Sequence, residues 1–532
     1  MKKNLMSLAL LGLSFWSSAQ ITTGEDFAVV PTDNGKVRGY VHQGIYTYKG
    51  IPYAEAARFE APHKPKAWTG VRSSLTYGPV APLLDPTVAV QDESEFVFNH
   101  SWGYPNEDCM RINVWTPGIQ DGKKRPVLFW IHGGGFTSGS SQELPSTDGE
   151  NLAKKGDVVV VSINHRLNIT GYLDMSAYGD KYKSSANNSV LDMKAALEWV
   201  KANIAAFGGD ASNVTIFGQS GGGAKVNTLM AMPSAKGLFH KAINQSGAFR
   251  STMLDKKTTQ SITAEVLKAL NIAPAQADSL QKIPFAQLAA AGKKALAVVA
   301  AQLKAAGKPV GGFGLSWGPS LDGEVLPYQI SSPEALALSK DIPLLIGTVK
   351  NEFMPSLGAG LSNAGLPEIE AYMKKRYGDK AEAVKAAVKK AYPTDIKPSD
   401  LIDVDVMFRP GAVEQANVKS GLRGAPVYMY LLTWQSPVMG GKYKAIHCID
   451  LPFCFNNIAR SEEMTGGQKD AYVLADKMSQ AWINFARLGN PNHKGLPTWP
   501  AYDATKTPTM HFNNTCEVKP QLDQELFKLV VQ

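Results

Sequence analysis

Several features that the sequence lacks narrow its function. Past residue 20 no stretch stays apolar long enough to span a bilayer, so no stable membrane anchor is expected. The formal net charge is +8, yet Lys and Arg are spread along the chain without a basic block. Neither nucleic acid nor a membrane surface is therefore expected as a partner. There is no internal repeat, low-complexity tail or Pro/Ser linker, which favours one compact unit over a string of modules. Cysteine is scarce. The four present, Cys109, Cys448, Cys454 and Cys516, allow three disulfide pairings or none, and sequence does not choose.

One apolar run stands out at the N-terminus. Lys2 and Lys3 precede Leu5 to Trp16, and Ser17, Ser18 and Ala19 follow. This is the layout of a secretory signal peptide with cleavage after Ala19, and no cysteine follows to make a lipoprotein. The expected organisation is residues 1–19 as signal and 20–532 as one domain, exported to the periplasm or outside the cell. At 44% hydrophobic and 19% charged residues, that domain can bury an ample core.

The stretch richest in chemistry is Val214 to Val226. A β-branched run ends in Gly218-Gln219-Ser220-Gly221-Gly222, and a helix-compatible segment follows. In this G-x-S-x-G spacing the serine sits on a sharp strand-to-helix turn with no room for flanking side chains. The helix N-terminus behind it favours developing negative charge. Upstream, the strand Pro126 to Ile131 runs into His132-Gly133-Gly134-Gly135-Phe136. Consecutive glycines leave backbone N–H groups uncovered, as an oxyanion hole requires.

Strands and helices alternate along the chain. Gly35–Val41 and Ile45–Ile51 suggest an antiparallel edge, while Arg111–Thr116, Asp157–Asn164, Ala242–Gln245, Ile342–Val349 and Pro426–Trp434 read as strands. Ser189–Phe207, the Ala/Lys/Leu-rich stretch 261–307, Ile369–Ala391 and Ala471–Leu488 read as helical. The fold class is α/β, with a mostly parallel, doubly wound sheet covered by helices on both faces.

A nucleophilic serine needs a base, and the base an orienting acid. In the chain order nucleophile, acid, histidine, His447 follows the strand ending near Trp434. His240 comes too early, His493 falls in a Gly/Asn/Pro turn and His511 lies near the tail. Glu352, three residues past the strand Ile342–Val349, is the candidate acid. Asp322, in Leu321-Asp322-Gly323, is the second choice and reads as a turn residue.

These motifs together resemble the type-B carboxylesterase (carboxylesterase/cholinesterase) family, over nearly the whole chain past residue 20. Gly50-Ile51-Pro52-Tyr53-Ala54 with Arg58-Phe59 and Trp68 looks like its N-terminal signature. Glu107-Asp108-Cys109 before Asn113-Val114-Trp115 looks like its second. Phe207-Gly208-Gly209-Asp210, Gly347 to Glu352, His447 with Asp450-Leu451-Pro452-Phe453, and Phe485 through Trp499-Pro500 continue the match in order.

The resemblance implies an α/β-hydrolase fold whose helical and loop insertions form a gorge. It implies Ser220 as nucleophile, His447 as base and Glu352 as acid, with the N–H groups of Gly134, Gly135 and Gly221 as oxyanion hole. It implies hydrolysis of small or medium alkyl or aryl esters through an acyl-enzyme, with no metal or cofactor, by a monomer or homodimer. Aryl-specialised esterase, amidase and a non-catalytic binding protein are the alternatives. Phe136, Gln219, Trp317 and Phe353 are candidate pocket neighbours. The sequence departs from the family at Gln219, where Glu is usual, at Gly221, where Ala is usual, and at Cys448, where Gly is usual. Cys109 lacks the family's upstream disulfide partner, and the segment after Ala54 is short.

Overall fold

A computed structural model describes residues 21–84, 93–247, 252–310 and 314–531. The expected signal peptide lies outside these residues.

An eleven-stranded sheet runs through the molecule. Its strands are β1 (Tyr40–His42), β2 (Ile45–Pro52), β3 (Arg111–Thr116), β4 (Arg125–Ile131), β5 (Val159–Asn164) and β6 (Gly209–Gln219). They continue with β7 (Lys241–Gln245), β8 (Leu344–Val349), β9 (Val427–Leu432), β10 (Thr509–Phe512) and β11 (Glu517–Lys519). Across the sheet the order is β11-β10-β9-β8-β7-β6-β4-β5-β3-β2-β1. From β10 to β5 every pairing is parallel, and antiparallel pairs close both edges.

The central strands are apolar and β-branched because both their faces are covered. On β4, Val127, Phe129 and Ile131 point into one core with Ala196, Leu197 and Val200 of helix α1 (Asn188–Asn203). The alternate residues Leu128 and Trp130 enter a second core with Leu474, Met478 and Trp482 of the C-terminal helix Lys469–Leu488. The two-residue strand period thus builds two cores from one run of sequence.

Three expectations need correction. Gly35–Val41 is not one strand. Gly35–Arg38 pairs with Val29–Thr32 and Val71–Ser73 in a small separate sheet, and only Tyr40–His42 reaches the main one. The helical stretch 369–391 is broken at Gly378 into Leu366–Tyr377 and Ala381–Ala391. The tail holds two further strands, β10 and β11, so His511 sits inside the sheet. Four- and three-residue strands are too short to show a period of their own. All four cysteines are free thiols.

Candidate active site

Parallel neighbours place their C-terminal ends at one edge of a sheet, and ligands bind there in open α/β folds. Five adjacent strands do this here. The glycine loop follows β4, Ser220 follows β6, Ser246 follows β7, Glu352 follows β8 and His447 follows β9.

Ser220 occupies φ 57° and ψ −126°, between β6 and helix α2 (Gly221–Met230). That conformation is strained for a residue with a Cβ and persists only when its surroundings enforce it. Its N–H donates to the Gln245 carbonyl at 2.8 Å, fastening the turn to the neighbouring strand. The flanking glycines are a steric necessity. A Cβ on Gly222 would lie 2.1 Å from the Ile131 carbonyl oxygen, and one on Gly218 would lie 2.5 Å from the Gly222 carbonyl carbon.

The glycine loop lies against this elbow. A Cβ on Gly133 would fall 3.5 Å from the Ser220 Cβ, and one on Gly221 would fall 2.3 Å from the Gly135 nitrogen. The glycine loop and the first residue of α2 are thereby in close backbone contact beside Ser220.

The two following strand ends are joined to each other. His447 N–H donates to the Glu352 carbonyl at 3.1 Å, and Asn351 N–H donates to the Ala445 carbonyl at 3.1 Å. The His447 Nδ1 is hydrogen-bonded to Glu352 Oε2. The other carboxylate oxygen accepts from the Ser246 hydroxyl at 2.5 Å and the Val349 N–H at 3.1 Å. Glu352 is buried, so these donors replace the water that would otherwise solvate it. Phe353 and Phe408 flank the imidazole with ring centroids 4.6 and 5.3 Å away. Phe408 is held by Asp405, whose carboxylate accepts the N–H groups of Met407, Phe408 and Arg409. Burial, then the nearby Glu352 charge, raises Asp405 to about 7.

Two of the departures from the family pattern touch each other. The Cys448 thiol donates to Gln219 Oε1 at 3.2 Å. This turns the amide nitrogen toward His447, 3.3 Å from Nε2 and 3.4 Å from Nδ1. Cys448 holds φ at 72°, a left-handed conformation that glycine would adopt freely.

Ser220, His447, Gln219 and Phe353 line one cavity of about 590 Å³. One wall is a stack of Phe98, His100 and Trp102, with successive centroids 5.5 and 4.5 Å apart. Trp317 lines an adjoining cavity of about 730 Å³ beside the helix Phe285–Ala305, and Thr137 lines both cavities. Phe136, half-buried, packs edge-on against Tyr172 at 5.7 Å, on the margin of the core. Of the candidate neighbours, Gln219 and Phe353 line the cavity of Ser220 and Trp317 lines the adjoining one. Asp322 is a turn residue: its Oδ1 accepts the N–H groups of Glu324, Val325 and Leu326. His240 Nδ1 accepts the Val214 N–H, and His493 Nε2 donates to the Lys477 carbonyl.

Sequence reasoning missed Ser246, Phe408, Asp405 and the wall Phe98–Trp102. Ser246 alone left a trace, one residue past a short apolar strand. The others depend on loop paths.

Residues 26–530 match the model of the carboxylesterase family. A para-nitrobenzyl esterase of Bacillus subtilis is 35% identical over 513 residues, covering 94% of this chain and 98% of its own. A phenmedipham hydrolase of Pseudarthrobacter oxydans is 33% identical, covering 90% of this chain and 93% of its own. Among solved structures, a Clostridium hathewayi esterase described as hydrolysing aliphatic aromatic polyesters superposes with a TM-score of 0.83. It is 36% identical over 96% of this chain and 99% of its own. A Geobacillus stearothermophilus carboxylesterase gives a TM-score of 0.73 at 35% identity, over 92% of this chain and 97% of its own. Family match, fold and the histidine–carboxylate pair beside the elbow serine agree: the chain belongs to the carboxylesterase family and is a carboxylic-ester hydrolase of α/β-hydrolase fold.

Proposed function

We propose that the protein is an exported esterase that hydrolyses small to medium alkyl or aryl esters through an acyl-enzyme on Ser220. The observation that carries this reading is the convergence at one sheet edge of the elbow serine, the glycine loop and the Glu352–His447 pair. In this mechanism Ser220 Oγ attacks the ester carbonyl carbon, and His447 Nε2 takes its proton. Glu352 fixes the imidazole with its proton on Nδ1 and stabilises the imidazolium that forms. The N–H groups of Gly134, Gly135 and Gly221 receive the oxyanion. The tetrahedral intermediate collapses, and His447 gives the proton to the departing alcohol. Water then attacks the acyl group with His447 again as base, and the acid is released.

The stacked Phe98, His100 and Trp102 beside Phe353 favour an aryl group on the ester, since aromatic faces bury large area and reward ring-on-ring contact. Two relatives are named for para-nitrobenzyl esters and for phenmedipham, which agrees with this preference. Export rests on Lys2, Lys3, the run Leu5 to Trp16 and Ala19, and leaves residues 20–532 as the working domain. Among the described residues no helix is long and apolar enough to cross a membrane.

The test is turnover of p-nitrophenyl esters from acetate to palmitate by residues 20–532 and by Ser220→Ala. Activity should peak at short to medium acyl chains. The variant should lose on the order of 10⁴ to 10⁶ in kcat. A wild type as inert as the variant on every ester would overturn the reading.

A further inference from the structure

Lys225 is a fully buried lysine, on α2, that the reaction above does not use. Its ammonium donates to two backbone carbonyls, His132 at 3.0 Å and Gly133 at 3.3 Å. Both belong to the loop that presses against the elbow.

We propose that Lys225 is a positioning residue for ester hydrolysis, fixing the glycine loop and polarising the Gly133–Gly134 peptide group that presents one of the oxyanion donors. This rests on the reading of residues 134, 135 and 221 as the oxyanion hole.

The geometry follows from the trans peptide, in which C=O and N–H point in opposite directions. Lys225 holds the Gly133 carbonyl, so the N–H of Gly134, in the same peptide unit, faces away from the ammonium. An N–H whose own carbonyl already accepts a charged donor is polarised and donates more strongly. The loop is thus tied to the helix that carries the nucleophile, five residues beyond Ser220, and donors and nucleophile move as one body.

Lys225 is the source of positive charge at this point. His132 and His165 stack at 4.9 Å, and burial, then the Lys225 charge, holds both well below the ordinary histidine range. Both rings are therefore neutral, and Lys225, when protonated, is the cation beneath the loop. Glu143, on the far side of the same loop, is raised to about 7 by burial. Its charge offsets part of the burial that pulls Lys225 down to about 7. A helix position needing only apolar filling would hold methionine or leucine without that cost of burying charge.

The experiment compares wild type with Lys225→Met, of similar length without charge or donor, and Lys225→Gln, which keeps a donor without the charge. The readouts are kcat and KM for p-nitrophenyl butyrate, inhibition by a trifluoromethyl ketone that mimics the tetrahedral adduct, and the melting temperature. In Lys225→Met, kcat should fall on the order of 10²-fold with KM within threefold. Inhibition by the ketone should weaken in step with kcat while the melting temperature holds. Lys225→Gln should fall between the two. Unchanged kcat and ketone binding in Lys225→Met would overturn the proposal. So would losses in which KM moves as much as kcat and the melting temperature drops, or failure of both variants to fold, since each marks a purely structural lysine. If the wild type itself hydrolyses no ester, the reading of the site fails, and that outcome is distinct from the others.

Discussion

Replacing Gly221 by the alanine usual in the family should impair this enzyme rather than leave it unchanged. An added Cβ would sit 2.3 Å from the backbone nitrogen and oxygen of Gly135, whereas ordinary contact begins at 3.4 Å. Backbone atoms on both sides cannot rotate away as a flexible side chain would. The loop must therefore retreat from the elbow by about 1 Å. That distance is enough to take an N–H out of hydrogen-bonding range of a developing oxyanion. Loss of one such donor costs on the order of 10² to 10³ in kcat, or ~3 to 4 kcal/mol of transition-state stabilisation. Initial rates of p-nitrophenyl acetate hydrolysis by Gly221→Ala, with KM and melting temperature measured alongside, decide it. We expect kcat to carry the loss and KM to stay within threefold. A variant within threefold of wild type in kcat would refute the inference that the glycine loop and the elbow are in unyielding contact.

Two further perturbations address the groups around His447. Gln219→Glu places a carboxylate where the amide lies 3.3 Å from His447 Nε2. The variant sets an added anion beside the base, so the acidic limb of its kcat/KM profile should be displaced toward higher pH. An unmoved limb in a pH–rate profile would remove Gln219 from the electrostatics of the site. Ser246→Ala deletes the hydroxyl held 2.5 Å from Glu352 Oε1, leaving a buried carboxylate short of a donor. Stability should fall by about 1 to 3 kcal/mol and kcat by roughly tenfold. Denaturant melts and steady-state rates read the two effects separately.

Much of this protein was legible in its sequence because the decisive signals are local. A strained serine turn needs Gly218 and Gly222 within two residues of Ser220, and the β-branched run before it needs no partner to be recognised. Long strands buried on both faces, such as Val159–Asn164 and Leu344–Val349, announce themselves by composition. Chain order alone separated His447 from His240, His493 and His511. Short edge strands carried too few residues to show a period, and Thr509–Phe512 takes its place in the sheet from pairing with β9.

Tertiary structure decided what depends on contacts between distant segments. Ser246 meets Glu352 across 106 residues, and Cys448 meets Gln219 across 229. The ammonium of Lys225 reaches carbonyls about 90 residues upstream. Trp317, a candidate pocket neighbour by sequence, lines the cavity that adjoins the one beside Ser220, because a loop's path is set by what it packs against. The sequence by itself carried the elbow motif around Ser220, the chain order of its proposed partners and the α/β architecture, since these are written in short-range spacing. Which groups surround the histidine, and what Gly221 and Lys225 touch, depends on parallel strands that bring their C-terminal loops to one edge.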